Sequence, residues 1–465
     1  MLTSSFRRSA AKASPSPDFT TNSITIDRTK CVSCGMCIKA CKTVAGQGVL
    51  KLAKDGDKKL VSTVSGAPLQ ETACIKCGQC TLVCGPGAIM EKDQISDVEK
   101  VLKNPQGKVA VCQTAPAVRI NLSDALGLPA GTISTGKMVT ALKMLGFQYV
   151  FDTNWSADMT IVEEASELVK RLTEKDFGPL PMFTSCCPAW VNYVEQSDPS
   201  LIPNLSSCRS PMGMLSSTIR RDFASVKKIE PKDIFNVAIM PCTAKKDEIE
   251  RPQLRTEDGI KETDYVITTR ELMRMIKKAK IDFKKLPDTP FDQLYAESTG
   301  AGAIFCGSGG VMEAAIRTAY KLVTGKELEN YNIDAVRGLD GIKIATVDFD
   351  GTPVTVAVAQ GVANAKKLIK KIRDGDADVK DVKFVEVMAC PGGCVCGGGS
   401  TRAKTKKAIE KRVEAVYRID KESTKRASHL NAELNECYDR FLDGHYFSHK
   451  AHHVLHTKLA PRNAK

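Results

Sequence analysis

Two adjacent thiols, Cys186 and Cys187, stand in the stretch TSCCPAW at residues 184–190. Disulfide geometry is narrow and suits neighbouring cysteines poorly, so the pair reads as two thiols with different tasks. Two further apolar runs end in cysteine in the same way. FNVAIMPC ends at Cys242, and VKFVEVMAC ends at Cys390 and runs on to Cys394 and Cys396 in PGGCVCGGG. Upstream, CVSCGMCIKAC (Cys31, Cys34, Cys37, Cys41) and CIKCGQCTLVC (Cys74, Cys77, Cys80, Cys84) form a small internal repeat. In this C-x2-C-x2-C-x3-C spacing three thiolates take one face of a 4Fe-4S cube, and the fourth cysteine of each run ligates the other cube. The spacing therefore predicts one cube on Cys31, Cys34, Cys37 and Cys84, and a second on Cys74, Cys77, Cys80 and Cys41. Zinc sites use cysteines in pairs, which four evenly phased thiols match poorly. The proline usual after each fourth cysteine is absent, with Lys42 after the first run and Gly85 before Pro86 in the second. Clusters of this kind move single electrons, so the arm implies a redox partner and a redox active site.

The remaining chain must position the other thiols. KVAVCQ and FQYVFD read as short buried strands, and IVEEASELVKRL as an amphipathic helix. On that helix Glu164 and Glu167 are three apart and share a face, with Arg171 four residues further on. GIKIATVDFDGTPVTVAVAQ reads as a β-hairpin turning at Asp350-Gly351. Alternating strands and helices indicate an α/β body, whose sites lie beyond the carboxyl ends of strands, so the three cysteine runs are expected to converge there. Gly392, Gly393, Gly397, Gly398 and Gly399 are expected to let backbone approach a bulky cofactor. From residue 402 the chain is basic and helical in pattern, too polar for a core of its own, and reads as a strap over the body.

Bulk composition narrows the class. At 465 residues the chain is expected to hold two or three domains. No run approaches the roughly 18 apolar residues of a membrane span. The net charge of +13 permits acidic partners, but no basic-aromatic nucleic-acid motif stands out. Eighteen cysteines clustered at metal-ligand spacing point to a reducing compartment rather than a disulfide scaffold. The opening MLTSSFRRSAAKASPSP is basic, rich in serine and alanine and free of acid until Asp18. It reads as an organellar transit peptide, with a disordered tail as the alternative.

TSCCPAW, MPCTAKKDE and FVEVMACPGGCVCGGG, in that order behind a ferredoxin-like arm, resemble the three signature segments of the FeFe hydrogenases. CQTAPAVR, VFDTNW, ADMTIVEEASEL, GAGAIF and GGVMEAA are similar to that family as well, so the likeness covers nearly the whole chain after residue 24. The resemblance implies an α/β fold: a two-lobed catalytic domain with mixed β-sheets flanked by helices, plus an N-terminal two-4Fe-4S ferredoxin-like α+β domain. The expected divisions are a leader at 1–23, the ferredoxin-like domain at 24–98, the catalytic domain at 99–401 and a helical, small-subunit-like strap at 402–465.

The resemblance also implies an H-cluster. Its 4Fe-4S cube would be held by Cys187, Cys242, Cys390 and Cys394, making three cubes in all. Cys394 would bridge to a two-iron unit carrying carbon monoxide, cyanide and a bridging amine dithiolate. Cys186 would stay free and pass protons to the amine, with Glu164, Ser206 and Glu167 as the relay outward. Lys245 would donate to a cyanide. Ala115, Pro116, Ala117, Pro211, Met240 and Met388 would wall the cofactor. The segment SPMGM at 210–214 departs from the glutamine-containing family version, which changes the wall contact at Met212. Cys112, Cys208, Cys306 and Cys437 read as buried small residues. His449, His452, His453 and His456 are expected on one helical face, where docking of the strap is favoured over a metal site.

The reading is thus a hydrogenase that reversibly combines two protons and two electrons into H2. Ferredoxin is the expected electron donor or acceptor, maturation proteins are implied, and a hydrogenosome or similar mitochondrion-like matrix is the expected location. Some 24 residues ahead of the arm leave no room for a further cluster module, so direct oxidation of NADH by this chain is not expected. Two alternatives are an iron-sulfur assembly factor of the hydrogenase-like kind and an H2 sensor. The first lacks the free cysteine that Cys186 supplies. The second tends to alter the relay and append signalling domains.

Overall fold

The structure is a computed structural model describing residues 17–403 and 405–462. Of the leader expected at 1–23, residues 1–16 lie outside this range. In the arm, strands Ile24–Ile26 and Ile89–Glu91 pair antiparallel, and each cysteine run leads into a short helix, Met36–Lys39 or Gln79–Val83. A hairpin of Leu50–Asp55 and Lys58–Thr63, which the sequence reading did not anticipate, covers the first run.

The body holds two four-stranded sheets. One runs Tyr149–Asp152, Val109–Thr114, Ile234–Met240, Tyr265–Thr268, and every pairing is parallel. Both faces are covered, so its central strands are mostly apolar; every residue of Ile234–Met240 is buried. The other sheet runs Ile342–Phe349, Thr352–Gln360, Val382–Met388, Met182–Phe183 and is mixed. Its antiparallel pair is the hairpin expected at Asp350-Gly351, and Asp350 takes the left-handed φ of 54° that a tight turn needs. The mixed pairing expected for both lobes thus holds for the second, while the first is wholly parallel.

Between the sheets lies the helix Thr153–Thr173. Asp152 caps it by accepting from the Asn154 amide and is itself held by Arg119 at 2.6 Å. Lys170 and Arg171 sit in its last turn, where cations suit the helix dipole.

The strap forms helices Lys406–Glu422, Ala432–Phe441 and His449–Leu455. It is bolted to the body through buried ion pairs, Arg412 with Asp124 at 2.7 Å and Arg317 with Asp420 at 2.7 Å. The four late histidines differ in burial. His449, His452 and His453 are exposed, whereas His456 follows the last helix, turns inward and forms a β-bridge with Cys208. The helix ends at Leu455, so helical periodicity does not extend to His456.

Candidate metal centre and proton path

The thiols gather in three chambers. Cys31, Cys34, Cys37 and Cys84 line one of about 320 Å³. Cys41, Cys74, Cys77 and Cys80 line a second of about 410 Å³. The fourth cysteine of each run therefore crosses to the other group, as the spacing predicted. Each run holds a residue at left-handed φ, Ser33 at 61° and Lys76 at 59°, which wraps the loop around its chamber.

The third chamber, about 760 Å³, lies between the two sheets. The carboxyl ends of Met182–Phe183, Ile234–Met240 and Val382–Met388 deliver Cys186, Cys187, Cys242, Cys390 and Cys394 to its wall. Ala115, Pro116, Pro211, Met212, Met240, Met388 and Lys245 also line it. Ala117 does not. It is the N-cap of the helix Val118–Ala125, and its methyl packs with Ile120 and Ala157 in the core. Thr153, Phe305 and Cys306 are among the other lining residues. Cys306 was expected to be only a packing residue, and no spacing signal marked it as part of the wall. Cys396 is not on the wall; its sulfur lies against Gly392.

This chemistry fits sulfur-ligated metal groups. All 18 cysteines are free, so the thiols converge without bonding to each other. Backbone amides face the sulfurs, those of Ala389, Trp190 and Ala189 at Cys187, and those of Lys245 and Ala244 at Cys242. Burial pushes both thiols up, and these donors oppose it by favouring the thiolate form that binds metal. Cys187 is also the N-cap of the helix Pro188–Ser197, whose first residue is a proline that needs no donor there.

The glycines act differently from expectation. A Cβ on Gly398 would lie 2.0 Å from the Cys77 carbonyl oxygen, and one on Gly397 would lie 2.1 Å from that of Pro241. Gly398 allows backbone to meet backbone where the arm docks on the body, Gly397 does so between two segments of the body itself, and Gly393 and Gly397 also border the chamber.

Cys186 is buried, and burial followed by the nearby Glu164 carboxyl pushes its thiol well above the ordinary range. Glu164 is fully buried, and neither oxygen makes a hydrogen bond of regular geometry, although Ser206 and the Ser185 backbone face it. Burial, then the Glu167 carboxylate, pushes it up to about 8, while Ser206 and the Ser185 backbone oppose this less strongly. Glu167 accepts from Ser206 Oγ at 3.1 Å and pairs with Arg171 at 2.6 Å. The predicted relay residues are thus brought together on one side of the chamber. Lys245 pairs with Glu248 at 2.7 Å and donates to Ser210 Oγ at 2.7 Å. Burial alone would lower the Lys245 ammonium, but Glu248 outweighs it and the group is held above its usual value.

An α/β body with thiols converging from three strand ends, behind a cysteine-rich arm, defines an iron-sulfur oxidoreductase. The description "iron only hydrogenase large subunit, C-terminal domain" matches residues 108–398, "iron hydrogenase small subunit" matches 406–462, and "4Fe-4S binding domain" matches 24–45. Iron hydrogenase 1 of Clostridium pasteurianum is 42% identical over 95% of this chain and 76% of its own length. The periplasmic Fe hydrogenase large subunit of Nitratidesulfovibrio vulgaris is 47% identical over 81% of this chain and 86% of its own. A cytosolic Fe-S cluster assembly factor of Danio rerio is 30% identical over 77% and 88%. A solved FeFe-hydrogenase variant from Chlamydomonas reinhardtii superposes with a TM-score of 0.71 at 41% identity, covering 80% of this chain and 99% of that one. The chain belongs to the iron-only hydrogenase family, and it is a hydrogenase carrying iron-sulfur groups.

Proposed function

We propose that the chain interconverts H2 with protons and electrons through two ferredoxin-type 4Fe-4S cubes and an H-cluster. Cys31, Cys34, Cys37 and Cys84 would hold the outer cube, and Cys41, Cys74, Cys77 and Cys80 the inner one. Cys187, Cys242, Cys390 and Cys394 would hold the cube of the H-cluster, with Cys394 bridging to a two-iron unit that carries carbon monoxide, cyanide and an amine dithiolate. When bound, these groups supply one-electron transfer and the iron at which H2 is made or split.

The protein's own part is positioning and proton handling. Cys186, raised by burial, keeps its Sγ–H and presents it at the chamber wall beside the thiols that would hold the cofactor. Its loss of a proton inward is refilled from Glu164, a carboxyl held near neutrality and so matched to both donation and acceptance. Two buried oxygens without a regular hydrogen bond are costly in a structural carboxylate and useful in a proton carrier. Ser206 Oγ faces Glu164 and donates to Glu167, so exchanging its hydroxyl proton links the two carboxyls. Lys245 offers a fixed cation for an anionic diatomic ligand. Met240, Met388, Pro116 and Phe305 make the wall apolar and exclude water. The observation that carries this reading is the free Cys186 beside Cys187 with a buried Glu164 behind it. The assembly-factor reading, by contrast, has no use for a free proton-carrying thiol.

Ferredoxin is the proposed electron partner. Cys34 is exposed at the outer chamber, with the exposed Val32 and Met36 beside it in the chain and the exposed Lys30, Lys39, Lys42 and Lys59 on the same arm. An apolar spot with basic neighbours suits a small acidic redox protein. The basic leader supports import into a hydrogenosome-like matrix, with maturation proteins needed there to load the two-iron unit.

The test is H2 evolution from anaerobically matured protein with a chemically reduced one-electron dye, read alongside infrared carbonyl and cyanide bands. Evolution with the bands present is the expected result. Bands without evolution would sink the catalytic reading and favour a sensor.

A further inference from the structure

Behind Glu167 the strap inserts a second hydrogen-bonded path. Glu167 Oε2 accepts not only from Ser206 but from the Ser207 amide and Ser207 Oγ, both at 3.0 Å. Ser207 Oγ meets His456 Nδ1 at 2.8 Å, and His456 Nε2 meets Glu163 Oε2 at 2.9 Å. Glu163 Oε1 in turn accepts from the Phe447 amide at 3.0 Å and from the Tyr438 hydroxyl. The His456 side chain is 1% exposed, yet its ring stacks on the exposed His452 with centroids 4.7 Å apart. The backbone locks it in place, since Arg209 Nε donates to the His456 carbonyl at 3.0 Å and the Thr457 amide to that of Ser207 at 2.8 Å.

We propose that His456 ends a second proton branch, which leaves Glu167 through Ser207 beside the side capped by Arg171. The branch rests on the reading of Glu167 as a relay carboxyl. In the inward direction His456 Nδ1–H donates to Ser207 Oγ as the Ser207 hydroxyl proton passes to Glu167 Oε2. One N–H bond breaks, one O–H bond forms on the glutamate, and no electron changes hands. The ring regains a proton at Nε2 as one O–H bond of a protonated Glu163 carboxyl breaks and one N–H bond forms, and we place the branch's solvent contact at the strap, where the exposed His452 stacks on the ring. Other groups facing the ring are Cys208, its sulfur 3.9 Å from Nδ1, and the aromatic ring of Phe447. Glu167, Cys208 and His456 could bracket a cation, their ligand atoms lying within 4.8 Å. Glu167 is already filled by serine donors and Arg171, however, so the set is wired for protons.

The experiment compares Ser207→Ala, His456→Gln, the double variant and Glu167→Gln in matured holoenzyme. It reads dye-driven turnover, the solvent isotope effect and the infrared carboxyl C=O bands that report protonated glutamate. Ser207→Ala keeps Ser206 and every backbone contact, so it tests the branch even if His456→Gln folds poorly. Each single variant is expected to lose about tenfold in turnover, short of the 10²-fold typical of losing a general acid-base group outright. The double variant should lose no more than either, the isotope effect should rise, and the carboxyl band should shift. Wild-type turnover, isotope effect and band in both single variants, with Glu167→Gln nearly inactive, would overturn the branch and leave the relay standing. Full turnover in Glu167→Gln would overturn the relay and the branch with it.

Discussion

The ammonium of Lys76 and the carboxylate of Asp247 meet at 3.2 Å with both side chains almost wholly buried, and the pair joins the cysteine-rich arm to the catalytic body. Asp247 also holds Arg462 at 3.0 Å and accepts from Asn192 at 3.1 Å. Lys76 sits between Cys74 and Cys77, so one ion pair fixes the inner chamber against the body. Breaking a buried pair from one side typically costs 3–5 kcal/mol. Because Asp247 keeps two partners, Lys76→Met should cost about 2 kcal/mol. Chemical denaturation followed by arm-specific proteolysis measures this, and an unchanged midpoint would show that the pair does not hold the arm.

Gly398 makes the second seam. With 2.0 Å between its added Cβ and the Cys77 oxygen, Gly398→Ala must push arm and body apart. Overpacking of this kind costs about 1–3 kcal/mol. Cys77 borders both the inner chamber and the catalytic one, so separation there should slow ferredoxin-driven turnover more than turnover with a small dye. Equal losses with both donors would show that the seam does not govern electron entry.

Cys186→Ala removes a thiol that the proposed cubes do not need. Iron and sulfide content should match the parent protein, while turnover falls by about 10²-fold or more, the usual worth of a positioned proton donor. Wild-type turnover would remove Cys186 from the relay.

Glu164 sets a pH dependence of stability. Its folded carboxyl lies at about 8 against an ordinary 4.5. Between those values the folded state binds the extra proton, so stability is greatest below 4.5 and is lost as pH rises toward 8. The loss amounts to about 5 kcal/mol at most. Glu164→Gln removes this slope, so the variant should gain on the parent as pH rises from 5 to 8. Parallel stability curves would place the Glu164 carboxyl at an ordinary value.

Local spacing determined much of this protein. Four cysteines in fixed phase set which thiols gather in one chamber, and the crossing of Cys41 and Cys84 followed from it. Short apolar runs ending in Cys187, Cys242 and Cys390 dictated buried strands with thiols at their carboxyl ends. The three-residue offset of Glu164 and Glu167 dictated a common helix face. The tertiary structure decided what depends on contacts between distant segments. Whether Ala117 faces the chamber or the core depends on how its helix packs, which periodicity does not encode. Gly398 serves the docking of arm on body because two backbones happen to cross there. His456 leaves its helix and turns inward because Cys208, Ser207 and Glu163, some 250 to 290 residues earlier in the chain, offer it a bridge and two hydrogen bonds.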